Sequence, residues 1–148
     1  MSFRWMRFSA GTLLLLVALA GSGVGADRTV ATSSTPRVVA TVPRTGETTV
    51  PPALSELRIT FSEAMRADAS ALVAEDGRTF PEVGLGPRLD RDGRTFVVQV
   101  FLAPDTEYAI WVNSASDRGF RSVDGRAAAP FLLAFRTGPA AAPAAPGK

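Results

Sequence analysis

Apolar and polar side chains alternate with a period of two through the middle of this chain. Leu57, Ile59 and Phe61 alternate with Arg58 and Thr60, and Phe96, Val98, Val100 and Leu102 with Val97, Gln99 and Phe101. Tyr108, Ile110 and Val112 alternate with Ala109, Trp111 and Asn113, and Phe131, Leu133 and Phe135 with Leu132, Ala134 and Arg136. Successive side chains of a strand point to opposite faces, so each set lays one apolar row on one side of a sheet. Weaker strands are predicted at Val38 to Val42, Ala71 to Glu75 and Arg78 to Glu82. Asp76-Gly77 and Asp92-Gly93 read as hairpin turns, and Pro43 and Pro51-Pro52 as strand limits. Ser62 to Ser70 has room for one short turn, and no stretch holds a sustained helical period. About seven short strands at this spacing predict an all-β chain folded as an antiparallel β-sandwich.

The flanks follow other rules. Arg4 and Arg7 precede an uninterrupted apolar run, Leu13 to Ala20, and then the small-residue stretch Gly21 to Ala26. That order describes a secretory signal peptide over 1–26, a short signal helix ahead of the sandwich. Cleavage after Ala26 suits the small-residue rule, with Ala20 as the earlier alternative. The competing reading is an uncleaved anchor, although a membrane span wants ~20 apolar residues. Residues 27–36 form a Ser/Thr-rich linker and residues 138–148 a Pro/Ala-rich tail, neither with enough apolar surface to order itself. The domain between them, 37–137, has the ~100 residues of a small sandwich.

Composition removes most chemistry. The 148 residues include no His and no Cys, so a Ser-His triad, a Cys nucleophile and His- or Cys-built metal sites are excluded. The chain has 16 basic and 14 acidic side chains, and two of the basic ones are in the leader, which leaves the exported part neutral. Nucleic acid and anionic lipid both require clustered positive charge, so neither is an expected partner, and a membrane contact is left to an uncleaved leader.

Leu102-Ala103-Pro104-Asp105-Thr106-Glu107-Tyr108 resembles the corner of immunoglobulin and fibronectin type III sandwiches, where a Tyr hydroxyl bonds back to upstream backbone. Leu102, Pro104, Thr106 and Tyr108 are its structural residues. Val42-Pro43-Arg44-Thr45-Gly46 through Val50, and Leu57 to Met65 with its Phe61-Ser62 ending, resemble the opening of bacterial Ig-like domains of the SbsA/Big_5 type. Val123-Asp124-Gly125 and Phe131 to Thr137 resemble their closing loop and last strand. The resemblance implies an Ig-like sandwich of the kind found in surface-layer and other cell-envelope proteins. A more distant likeness is to copper-carrier domains of the CopC type, whose copper is held chiefly by His, absent here.

Asp90-Arg91-Asp92-Gly93 has the spacing of a partial calcium loop but reads better as a hairpin turn, since Arg91 and Arg94 surround it with positive charge. Asp117 and Asp124 flank Arg118 to Arg121 in the loop Ser114 to Pro130, a candidate polar rim. Glu63, Asp68, Glu75 and Glu107 are the acids available for glycoside hydrolysis, which needs a pair with one pKa raised. Trp111 and Leu132 stand out of phase with the core rows on strands expected to pair. They are therefore expected side by side on an outer sheet face, a candidate partner-binding surface. The reading is a secreted, non-catalytic Ig-like module of the bacterial envelope that needs no cofactor and contacts a protein or envelope component. The alternative is a periplasmic or extracellular carrier of carbohydrate or metal that uses the loop acids and Trp111.

Overall fold

The alternating segments become the strands of two facing antiparallel sheets. The structure, a computed structural model, describes residues 34–141. The expected leader, most of the linker and residues 142–148 lie outside that range. In chain order the strands are β1 (Val38–Val42), β2 (Glu56–Phe61), β3 (Leu72–Ala74), β4 (Glu82–Val83), β5 (Arg88–Leu89), β6 (Thr95–Phe101), β7 (Glu107–Val112) and β8 (Phe131–Arg136). One sheet is ordered β1-β2-β6-β4, with β5 also on β6, and the other β3-β7-β8. This is the all-β antiparallel sandwich the alternation predicted, of the Ig-like kind the resemblance implied.

The inner rows supply the core. Leu57, Ile59 and Phe61 of β2, Phe96, Val98 and Val100 of β6, Ile110 and Val112 of β7 and Leu133 of β8 are all buried. Phe61, Phe96 and Phe120 form an aromatic cluster with ring centroids 4.8 to 6.0 Å apart. Edge-to-face and tilted contacts of this kind add to the burial of the rings. Phe120 comes from the long loop after β7, so that loop closes one end of the core. Asn113, buried and at φ 58, makes this possible. Its side-chain amide donates to the carbonyls of Phe120 (3.0 Å) and Ala128 (2.9 Å), and its carbonyl accepts the Phe120 amide (2.8 Å).

Four details differ from the sequence reading. The Arg78 to Glu82 strand is replaced by a crossing between the sheets. Thr79 bridges Tyr108 in parallel, and only Glu82–Val83 pairs with β6. Pro81, which has no N–H to donate, interrupts the run. Asp76-Gly77 does reverse the chain, with Gly77 at φ 72 and the Arg78 amide on the Glu75 carbonyl, but its flanks both lie along β7 and do not pair with each other. Arg88–Leu89 is an unanticipated strand, paired with β6 through the Asp92-Gly93 turn. Val97, on the outward parity, is nonetheless buried, and its cross-strand partners are Arg58 and Arg88, long side chains whose aliphatic stems suit an apolar neighbour.

The free edge of β8 is sealed by the segment that follows β1. Gly46 donates to the Ala134 carbonyl (2.7 Å), Arg136 to that of Glu47 (2.8 Å), and Val50 to that of Arg136 (3.1 Å). The Thr45 hydroxyl accepts the Ala134 amide (3.2 Å) and faces the Leu132 carbonyl (3.3 Å). Paired edges do not recruit further strands, so this seam protects the sheet. Gly138 continues it, donating to Val50 and accepting from Asp105 (both 2.9 Å).

Candidate functional site

The outer face of the β3-β7-β8 sheet brings the out-of-phase residues together. Trp111 is the register partner of Leu132 on β8 and of Val73 on β3, so the three side chains form one row across the sheet. All three are half-buried. The indole Nε1 donates to the Glu75 carboxylate, just beyond the end of β3. Sequence reasoning did not anticipate that bond, since Glu75 and Trp111 are 36 positions apart.

Next to this row lies an open groove of about 580 Å³. Its floor is Ala109, Leu132 and Ala134, and the carboxylates of Glu47, Glu75, Asp105 and Glu107 border it with the guanidiniums of Arg78 and Arg136. Leu132 faces the groove, while Trp111 stands outside its lining and reaches it through Glu75. Arg78 pairs with Glu107 at 3.2 Å, an exposed ion pair of small energetic weight. Acids exceed bases around the groove, which therefore favours a positively charged occupant.

The other candidate acids are engaged in holding the fold. Asp92 accepts the amides of Arg94 (3.0 Å) and Thr95 (2.8 Å) and the Thr95 hydroxyl (2.6 Å). These bonds, the hydroxyl first, hold its pKa down at about 2. Asp90 accepts the Arg91 amide (2.8 Å) and the Arg58 guanidinium (2.5 Å), which lower its pKa in that order. Their oxygens thus fasten the β5-β6 turn. Among the described residues, no group of three or more His, Cys, Asp or Glu is arranged to hold a metal ion.

Asp68 is bound by Arg66 at 2.7 Å, and this pair lowers the Asp68 pKa. Asp68, Asp90 and Asp92 are thus all shifted downward, the reverse of what a general acid needs. Glu63 and Asp124 both pair with Arg126, at 2.6 and 3.3 Å, and the same guanidinium donates to the Ser34 carbonyl. Asp117 is exposed in a turn closed by its backbone on Ser114. Of the four acids proposed for hydrolysis, only Glu75 and Glu107 border the same groove, one held by Trp111 and the other by Arg78.

At the base of the sheet the Tyr108 hydroxyl accepts the Ala103 amide at 2.8 Å. Thr106 donates its hydroxyl to the Pro104 carbonyl (2.8 Å) and its amide to the Thr137 hydroxyl (2.9 Å). Leu102 packs against the core, and Asp105 turns the chain at φ 50.

A family model described as bacterial Ig-like domain matches residues 32–137. Among solved structures the chain is similar to surface layer protein SbsC, domains 1–6, with 12% identity and a TM-score of 0.48. That alignment covers 72% of this chain and 14% of the other. No curated protein sequence matches the chain.

Proposed function

Because this chain belongs to the bacterial Ig-like domain family, we propose that it is a secreted, non-catalytic module with a structural or protein-interaction role in the bacterial cell envelope. The observation that carries this reading is the outer face of the three-stranded sheet. There the Val73, Trp111 and Leu132 row adjoins a groove bordered mainly by carboxylates. Half-buried apolar side chains beside unbalanced charge suit a polypeptide partner that brings a basic residue to the groove and an apolar one to Leu132. Secretion is supported by the order of basic, apolar and small residues in the leader.

The test is site-specific photocrosslinking in cells that export the full chain. A crosslinker at position 132 is expected to trap a defined envelope protein, and one at Arg88 on the opposite sheet is not. Cell fractionation should place the mature chain outside the cytoplasm, with an N-terminus near Asp27. Retention in the cytoplasm, or equal crosslinking from both faces, would refute the proposal. The carrier reading draws on the groove volume, which lies in the ~300–1,000 Å³ range of small-ligand sites. A carrier gains thermal stability in proportion to the logarithm of ligand concentration, so a sugar or metal that raised Tm would favour it.

A further inference from the structure

We infer that the groove on the outer face of the three-stranded sheet takes the chain's own residues 140–148, which a partner must displace. This rests on the partner reading above and adds what regulates access to that site.

The groove begins where the chain leaves the sandwich. Gly138 and Pro139 belong to its lining, together with Asp105 and Glu107. From that end the register of β7 on β8 lays down three outward rows, Glu107 with Arg136, Ala109 with Ala134, and Trp111 with Leu132. The middle row is two alanines, so another backbone can lie close to the sheet there. Charge divides the groove along its length. At the exit end Arg78 pairs with Glu107 at 3.2 Å, and Arg136 stands opposite Glu107 on β8. Further in, Glu75 is held by the Trp111 indole through Oε2 and has no basic partner among the described residues. The inner end therefore presents an uncompensated carboxylate near the apolar Leu132.

The tail matches this site in size, charge and reach. Residues 140–147 are Ala, Pro and Gly throughout, small enough for the alanine row, and Lys148 is the one charged side chain after Arg136. Pro143-Ala144-Ala145-Pro146 has the spacing that puts both prolines on one edge of a polyproline helix, the form in which Pro-rich segments enter grooves at small entropic cost. From the Arg136 row to the Leu132 row is a run of four strand residues, ~13 Å. The nine residues after Pro139 span ~28 Å in the polyproline form, enough to reverse at the exit and bring the Lys148 ammonium back to Glu75.

The chain contains no Cys, so a disulfide between two introduced residues reports where the tail lies. Ala145→Cys would be combined with Thr48→Cys on the groove wall, or with Ser55→Cys, which is also exposed and lies at the same pole on the other sheet, where its carbonyl accepts the Val100 amide. Under mild oxidation the full chain is expected to close the Thr48 pair within one molecule about tenfold faster than the Ser55 pair, because docking raises the effective concentration of the tail at the groove. Lys148→Ala should slow the Thr48 pair about threefold, the weight of an exposed ion pair, and leave the Ser55 pair unchanged. Glu75→Gln still accepts the indole N–H and should act as Lys148→Ala does. Equal rates for the two pairs would overturn the inference. So would a disulfide-linked dimer as the main product, which would give the groove to the tail of a second copy. Removing residues 142–148 should raise the crosslink from position 132 about threefold, and an unchanged yield would overturn the displacement. A missing crosslink in both chains would refute the partner reading alone, because the disulfide rates decide the place of the tail.

Discussion

The hydroxyl of Tyr108 accepts the backbone amide of Ala103 at 2.8 Å and ties the start of β7 to the end of the strand before it. The Tyr108 ring is buried and stacks at a tilt on Phe135, with centroids 5.3 Å apart, so the phenol has an apolar body and one fixed polar partner. Tyr108→Phe keeps the ring and leaves the Ala103 amide without its acceptor. The expected cost is ~1 to 3 kcal/mol in chemical denaturation, the range for a stranded partly buried donor. A neutral result would show that water replaces the hydroxyl and that the corner does not hold the turn.

Asn113 holds a left-handed backbone and three hydrogen bonds at one fully buried position. Asn113→Ala loses both, and is expected to destabilise the domain by roughly 3 to 5 kcal/mol. Asn113→Gly loses the bonds but adopts positive φ freely, and should be about 1 kcal/mol less damaging than Ala. Denaturant titrations of the two variants check the difference. Identical values would show that backbone strain has no part in the effect.

Asp92 gives the hairpin a pH dependence. Its pKa in the folded chain is about 2, below the ordinary 3.8, because the folded turn bonds the ionised carboxylate. A lowered folded pKa means stability that is present above the unfolded value and is lost as pH falls through the folded one. Melting temperatures measured between pH 5 and pH 2 should therefore fall less steeply for Asp92→Ala than for the native chain. The same slope in both would remove Asp92 from the acid response.

Trp111 has a structural bond as well as an exposed face. Trp111→Phe removes the Nε1 contact with Glu75 and keeps most of the apolar area, so a stability loss of about 1 kcal/mol is expected. Trp111→Ala also removes that area and should weaken crosslinking from position 132 more than Trp111→Phe does. A partner contact equally strong in all three chains would separate Trp111 from the surface.

The sequence by itself determined which residues form the main strands and which of their faces turn inward. Side-chain parity is set by the backbone within a few residues, so Leu57, Ile59 and Phe61 declare one face whatever lies beside them. The turn at Asp92-Gly93 and the corner at Tyr108 were legible for the same reason, because their partners lie within five positions. Only the tertiary structure decided the contacts that span the chain. The seam of Thr45 to Val50 on β8 joins residues almost 90 apart, Glu75 meets Trp111 across two strands, and the two arginine partners of the buried Val97 come from different strands. Each depends on how the chain passes between the sheets, which local pattern does not encode. Asn113 lies between the two cases. An Asn directly after an apolar strand signals tolerance of a left-handed turn, but its partners Phe120 and Ala128 are found only when the loop folds back over the core.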